Sequence, residues 1–565
     1  MDNKSKEEGL MTIEFMKNYL YQGKKNKHLE TFIAEVEEEV ALILAENQFI
    51  RVGYDEYLAY IKIGNRSQSE KKYFQKRKQL VALGLYLQWQ KDEKAMARFK
   101  SLIWDLCQDY SWALPAHLSI EKGVFINPLT TVDLFAAETA QMLAEFLLIY
   151  EDQFDLLLIN EINKQVQQRV LKPFDENKWP WEKLENNWSA VCGSCVGITA
   201  LILEKDPLKL GRILRRCNKA LTYYFAGYGA DGACVEGISY WVYGFSYYRY
   251  FADLYDWVAG VPLLEQEKVP AIIEFPGYVE WKPGHYVPFS DAAPNTQIPS
   301  GLLGNLGIGV ESVTSFHFDH CYRWAHLSRI LWWSTPDQKR LSINNGKYFE
   351  DAQWLVFRNE EIYFAAKGGH NNEPHNHNDV GHFVLSIQGE LVLTDLGAGV
   401  YTADYFSEQR YLDPHTRSSW HSVPLINGKE QRSGFTGNAQ VECASIQRNH
   451  CRFRLNIGKA YGLDTDVWRE FVLDAHERKL VLIDEVDAKQ YQMNFISYER
   501  PKLLKQQVCW EHLTLDFAAG FYEVWVEELE IKNHLLQEER VYRVCCLSKG
   551  QQEKHEFRLS WEGGS

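Results

Sequence analysis

Residues 368–397 read GGHNNEPHNHNDVGHFVLSIQGELVLTDLG. The second half of this stretch decides what kind of structure it belongs to. FVLSI and ELVL are short apolar runs rich in strand formers, and Gln388-Gly389 between them is a turn pair, so the stretch predicts a β-hairpin. The same reading repeats outward. WLVFRNEEIYFAAKGG (354–369), CRFRLNIGKAYG (451–462), WREFVLDAHERKLVLIDEVDA (468–488) and FYEVWVEELEIK (521–532) alternate or run β-branched, and Asn427-Gly428 is a further turn pair. Hairpins repeated without a helical period between them imply an antiparallel β-sandwich.

Upstream the period changes. ETFIAEVEEEVALILAEN (30–47), AAETAQMLAEFLLIYEDQFDLLL (136–158), SCVGITALILEKD (194–206) and LGRILRRCNKALTYYFAGY (210–228) place apolar residues at i, i+3 and i+4, as amphipathic helices do. Breakers such as Asp206-Pro207 and Gly227–Gly229 separate them, which argues for packed helical hairpins. Residues 260–315 are richer in Pro and Gly and read as long loops. The expected architecture is α+β and multidomain: a helical domain over 1–335 and a β-sandwich domain over 336–565, joined near 335–345.

Composition bounds the function classes. A chain of 565 residues is too long for one hydrophobic core. Its 45% hydrophobic and 24% charged residues are those of a soluble globular protein. Aromatic residues make up 14%, with 18 Trp, and aromatic faces pack on sugar rings as well as in cores. The net charge is 61 − 76 = −15, without the basic stripe that nucleic-acid binding needs. An acidic chain holds a polyanion only where basic groups are concentrated locally. The opening MDNKSKEEGLMTIEFMKNYLYQGKK is not a secretory signal, and no apolar run reaches the roughly 18 residues of a membrane span. Eleven cysteines without a signal fit a reducing cytoplasm. The expectation is a cytoplasmic protein, or a secreted one whose signal was removed, with no nucleic-acid or membrane partner; the oligomeric state is open.

Six of the 17 histidines, His370, His375, His377, His382, His415 and His421, fall in under a tenth of the chain. Lys367, Arg410, Arg417, Lys429 and Arg432 lie nearby and supply the local positive charge that a polyanion requires. His377, Asp395 and His421 sit at the start of a hairpin, on its return and before the next strand, so they can converge. Two imidazoles and a carboxylate suit zinc or a similar divalent ion. A cupin would place a Glu shortly after the His-x-His pair, where this chain has Gly381 and His382. In the helical half, Asn186, Asn187, Trp188 and Ser189 open a helix, and the plain reading of Asn and Ser there is an N-cap. Cys192 and Cys195 have the spacing of a redox pair but no βαβ surroundings. Downstream, YGADGACVEGISYWVYGFSYYRYF (228–251) is rich in tyrosine, which lines cores and grooves and also serves as a catalytic acid or base.

Five stretches together resemble the heparinase II/III-like polysaccharide lyases: SWALPAH (111–117), NNWSAVC (186–192), DGACVEGISYWVYG (231–244), residues 368–397, and WHSVPLING (420–428). They run in order through nearly the whole chain, and 368–428 is the specific part. The resemblance implies an incomplete (α/α) toroid followed by an antiparallel β-sandwich. It implies catalytic roles for Asn187, Tyr240 and His375, and substrate contacts from Trp188, His117, Glu236, Tyr405 and Arg410. It further implies one structural divalent metal, zinc by donor type, on His377, Asp395 and His421, with no organic cofactor. Several members have His where this chain has Trp188.

The implied activity is β-elimination at a 4-linked uronate of an acidic glycan, a glycosaminoglycan by the look of the NNW and DGACVEG blocks. Asn187 and His375 would stabilise charge growing on the uronate carboxylate, and Tyr240 would protonate the departing oxygen. The alternatives are an oligo-alginate lyase, a glycan-binding protein with an inactive cleft, and a metal-dependent hydrolase. A glycosidase would need two facing carboxylates, for which Asp231 and Glu236 are the obvious pair.

Overall fold

The computed structural model describes residues 27–46, 48–118, 127–260, 262–263, 267–293, 295–308, 313–335, 343–518 and 520–563. The N-terminal stretch 1–25 and residues 336–342 of the expected junction near 335–345 lie outside the described residues. The chain forms two compact units. One comprises the described residues of 1–227, 241–266 and 297–341; the other comprises those of 228–240, 267–296 and 342–565.

The first unit is helical. Its helices include Glu30–Ala45, Ser67–Tyr86, Glu93–Cys107, Leu134–Tyr150, Leu156–Val166, Asn187–Leu203, Pro207–Ala226 and Trp324–Trp333. Asp92, Asp133, Asp155, Asn186 and Asp206 each accept a hydrogen bond from an N–H in the first turn of the helix that follows, which satisfies donors left over at a helix start. Leu134–Tyr150 is buried on nearly every face, including its carboxylates. Glu145 is paired bidentately with buried Arg329 at 2.7 and 2.8 Å, and Glu138 lies between Arg77 and Arg323, so no buried charge is left alone. Cys192 and Cys195 are buried free thiols, and Cys195 Sγ lies 3.0 Å from Gln141 Oε1, which fits packing rather than redox exchange.

Among the described residues the second unit holds five antiparallel sheets, two of only two strands and three larger ones. One has eight strands, in the order Gln440–Ile446, His450–Asn456, Val467–Asp474, Lys479–Val486, Lys554–Ser560, Thr514–Phe517, Gln507–Cys509 and Lys502–Leu503. A five-stranded sheet runs Gly346–Phe349, Trp354–Arg358, Ile362–Lys367, Phe383–Ile387 and Glu390–Leu393; a four-stranded sheet runs Tyr522–Lys532, Glu538–Ser548, Tyr491–Ser497 and Pro424–Ile426. The five- and four-stranded sheets meet where Thr394 N donates to Ile496 O at 3.0 Å. One apolar core joins the three larger sheets: Phe364, Phe383 and Leu385 from the five strands, Met493, Phe495 and Val544 from the four, and Phe453, Phe471 and Phe557 from the eight. The turn at Gln388-Gly389 has both residues at positive φ (52° and 78°), as a type I′ hairpin requires.

The 260–315 segment departs from the loop expectation. It contains the helix Val269–Val279 and a small hairpin, Glu280–Lys282 with Tyr286 and His285. Pro270 stands in the first helical turn, where an N–H has no intrahelical partner to lose. This segment packs on the five-stranded sheet. Arg358 donates to Gly277 O and Glu280 O, Tyr363 to Tyr278 O, and Phe275 and Phe289 pack on Trp354. Those contacts fix Asp291 and the start of the helix Ile238–Ala259.

Candidate active site and metal centre

Asp291 is the centre of the site in the second unit. It is buried, and five side chains converge on its carboxylate. On Oδ1 are His377 Nε2 (3.2 Å), Tyr405 Oη (2.6 Å) and Arg410 Nη2 (2.9 Å); on Oδ2 are His375 Nδ1 (2.8 Å) and Tyr401 Oη (3.3 Å). Burial alone would raise this carboxyl, but Arg410, His375 and His377 outweigh it and hold it well below the usual carboxylate range. The backbone is placed by Ser290, at φ 60°, whose hydroxyl donates to Val235 O at 2.8 Å, and by Ala398 N, which donates to Ala292 O. The next loop is tied to the same segment as Asp291.

Tyr240 and His375 lie against each other, rings stacked at 3.9 Å between centroids with a 20° interplanar angle. The Tyr240 hydroxyl is 2.5 Å from that of Tyr401. Burial, with the Asp291 charge, holds the Tyr240 phenol far above its ordinary value, so it carries its proton at neutral pH. His375 sits in a left-handed backbone conformation, φ 59°, uncommon for a residue with a side chain and held here by the Asp291 hydrogen bond. Its other nitrogen, Nε2, faces Glu236 Oε2 at 3.8 Å. Of the residues singled out from sequence, Tyr240, His375, Glu236, Tyr405 and Arg410 are thus together. Asp291 and Tyr401 were missed, because PFSDAAPN and GAGVYT hold no cluster of chemically active residue types; their importance lies in partners distant in sequence.

Asp231 is not half of a carboxylate pair. Its Oδ2 accepts the backbone N–H groups of Asp351 and Ala352, and Asp351 Oδ2 accepts those of Ala230 and Asp231, a reciprocal clamp between two turns. Two of the five basic residues of the expected concentration are buried and paired, Lys367 with Asp379 and Arg410 with Asp291, as a buried cation requires. Arg417, paired with Glu430, is half-exposed, and Lys429 and Arg432 are exposed, the Arg432 guanidinium donating to the carbonyls of Lys459 and Thr436.

Asn187, Trp188 and His117 form a separate group within the helical unit. Asn186 is the N-cap, its side chain accepting from Trp188 N at 3.1 Å. That frees Asn187, which is buried and whose Oδ1 has no hydrogen-bond partner among the described residues. A buried unpaired amide oxygen costs stability, and Asn187 Oδ1 is one of several such atoms among the described residues. The His117 ring meets Trp188 edge-on at 4.9 Å, and its Nδ1 is 2.7 Å from Asp133, the N-cap carboxylate of Leu134–Tyr150.

His377, Asp395 and His421 converge as expected, with Asp379 in reach of the same point and all four buried. Hydrogen bonding fixes which nitrogens face the centre. His421 Nδ1 donates to Arg417 O at 2.9 Å, and His377 Nε2 donates to Asp291. The remaining nitrogens, His377 Nδ1 and His421 Nε2, then face each other at 3.1 Å, each 3.6 Å from the Asp395 carboxylate. Two bare lone pairs at that distance repel unless a cation lies between them. Without metal a proton serves: burial would lower His377, but hydrogen bonds to Asp291 and Asp395 carry it up to about 9. A divalent ion of zinc type fits the same donors, whose outer nitrogens are held as metal-binding imidazoles usually are. Asp379 gives Oδ1 to Lys367 at 2.9 Å, while its buried Oδ2 has no hydrogen-bond partner among the described residues and can be a fourth donor. His382 accepts from Ser422 N at Nδ1, which leaves its proton on Nε2; that nitrogen lies 3.3 Å from Asp395 Oδ2, and neither atom has a hydrogen-bond partner among the described residues.

Residues 343–508 match the model of the heparinase II/III-like C-terminal domain. The chain carries the C-terminal domain of that family. No curated protein matches the chain in sequence. Among solved structures, the heparan sulfate lyase HepC from Pedobacter heparinus matches with a TM-score of 0.61 at 14% identity, over 99% of this chain and 88% of that one. A heparinase III matches with a TM-score of 0.61 at 12% identity, over 96% and 93%. A mutant chondroitin AC lyase from Streptomyces coelicolor A3 matches with a TM-score of 0.55 at 10% identity, over 98% and 83%. At these identities the likeness is one of fold: like these structures, the chain has a helical N-terminal region followed by antiparallel β-sheets.

Proposed function

We propose that the protein is a polysaccharide lyase that cleaves a 4-linked uronate glycan, of glycosaminoglycan type, by β-elimination. The observation that carries this reading is the stacked Tyr240–His375 pair tied to Asp291, His375 lying in the stretch that matches the heparinase II/III-like C-terminal domain. In the reaction, the carbon-5 hydrogen leaves as a proton to His375 Nε2 and its bonding pair becomes the carbon-4–carbon-5 double bond. The bond from carbon 4 to the glycosidic oxygen breaks, and that oxygen takes the Tyr240 proton. His375 then loses its proton and Tyr240 regains one through solvent, so the protein returns unchanged. The raised Tyr240 phenol suits a donor that must arrive protonated. Asn187 would serve the uronate carboxylate as its charge grows, by a donor worth a few kcal/mol in comparable sites. Trp188 and His117 would offer ring faces to the sugar. A divalent ion on His377, Asp395 and His421 would contribute positive charge and hold the turn that bears His375. Placement in the cytoplasm would make short imported oligosaccharides the substrate.

The test is incubation with heparan sulfate, chondroitin, hyaluronan and alginate oligosaccharides, followed by near-UV absorbance and product mass. Elimination leaves one fragment lighter by a water and absorbing. Fragments that are both fully hydrated would identify a hydrolase instead; no cleavage of any glycan would leave a binding protein.

A further inference from the structure

We propose that Asp291 is the positioning residue of this site: it fixes the His375 proton on Nδ1 and so leaves the ring's lone pair on Nε2, the nitrogen on the side of Glu236. The inference rests on the reading of His375 as base and adds the group that prepares it. A carboxylate only accepts hydrogen bonds. Its 2.8 Å contact to His375 Nδ1 therefore places the ring proton there. The same carboxylate accepts His377 Nε2, so one residue orients both the base and a ligand of the candidate metal centre. Tyr405, Arg410 and Tyr401 hold it in turn, and Tyr401 links it to the Tyr240 hydroxyl.

The arrangement makes Asp291→Asn a sharp probe. Three donors, from His377, Tyr405 and Arg410, meet Oδ1, while His375 and Tyr401 meet Oδ2. The variant amide keeps most hydrogen bonds by setting its oxygen at the Oδ1 position. Its NH2 then points at His375 Nδ1, which must become an acceptor, and the ring proton moves to Nε2. The base is lost with little change in shape. Arg410 keeps its bonds to the carbonyls of Asn376 and Tyr405, so its charge remains solvated by the protein.

Two measurements decide the matter, both on the full chain supplied with zinc. The first is the histidine tautomer read by long-range proton–nitrogen correlation with labelled histidine, His375 being assigned by its disappearance in His375→Asn. The parent should carry the proton on Nδ1 and Asp291→Asn on Nε2; a parent ring protonated on Nε2 overturns the inference. The second is turnover of whichever glycan is cleaved. Asp291→Asn should lower kcat by about 10²–10⁴-fold with KM within about threefold, and Asp291→Asn/His375→Ala should be no slower than His375→Ala alone. Losses that multiply would show that Asp291 does not act through His375. If no glycan is cleaved, the lyase reading fails on its own. The parent tautomer still decides the role of Asp291, and needs no variant at that position to fold.

Discussion

Tyr240 is pulled two ways. Burial and the Asp291 charge favour its neutral phenol, while the Tyr401 hydroxyl at 2.5 Å can donate to the phenolate that forms when the proton leaves. A group that starts protonated and is helped only after giving up its proton is matched to donation in the transition state. Tyr240→Phe should therefore lower kcat by at least about 10²-fold, with KM and thermal stability close to the parent, since the stacking ring stays. Steady-state kinetics and a thermal melt check it; an active Phe variant would move the donor role to Tyr401. At this scale the sequence was legible where reactive residue types adjoin, as in His375-Asn376-His377. It was opaque at Asp291, one carboxylate among ordinary loop residues, and a charge count does not reveal that Lys367 and Arg410 have buried partners.

Two elements bear residues with proposed roles, one in each compact unit. In the helical unit, the helix Asn187–Leu203 begins with Asn187 and packs Gly197 against Phe251 further along. A Cβ at Gly197 would lie 2.5 Å from the Phe251 ring, itself fully buried. Gly197→Ala should thus destabilise the helical unit by about 1–3 kcal/mol through overpacking, despite alanine's better helix propensity. A denaturant midpoint equal to the parent's would show that the ring gives way freely. The second element is the turn from His375 to Asp379, in which His377 reaches the metal centre and His375 the catalytic pair. His421→Ala should lose about one divalent ion per chain by elemental analysis and lower the melting temperature, because bound metal stabilises the folded state. His375→Ala should keep both ion and melting temperature while losing turnover. Equal behaviour of the two variants would merge the sites that the hydrogen bonds separate. Strand hairpins here were readable because the alternation and turn pairs are local. The helix Val269–Val279 was not, since its two prolines resemble loop signals until the first is seen at a helix start.

At the scale of the molecule, periodicity separates a helical from a β region, but which segments gather into each compact unit is set by contacts, so 228–240 and 267–296 fold with the sheets. The net charge of −15 leaves the acid response to buried groups whose titration differs between folded and unfolded chains. In the helical unit, His326 is the clearest. It is 2% exposed, with Nδ1 3.0 Å from Tyr250 Oη. Burial, reinforced by Arg323 and Arg329 and only partly opposed by Asp319, pushes its imidazole from 6.5 down to about 3. Between those pH values the unfolded chain binds a proton that the folded chain refuses, so stability falls as pH falls from 6.5 toward 3. Asp319 acts lower: Arg323 holds its carboxyl below the usual 3.8, so its contribution is intact above 3.8 and is lost progressively as pH falls below that value. His326→Gln keeps a side chain able to bond Tyr250 but cannot take up the proton. Thermal or urea unfolding followed from pH 7.5 to 4.5 should show the parent losing stability more steeply than the variant, by up to about 1.4 kcal/mol per pH unit. Glutamine can lower stability at every pH, and the slope is the quantity that reports the imidazole. Parallel slopes would mean that His326 charges in the folded protein, through an opening of the helical unit that its burial does not reveal.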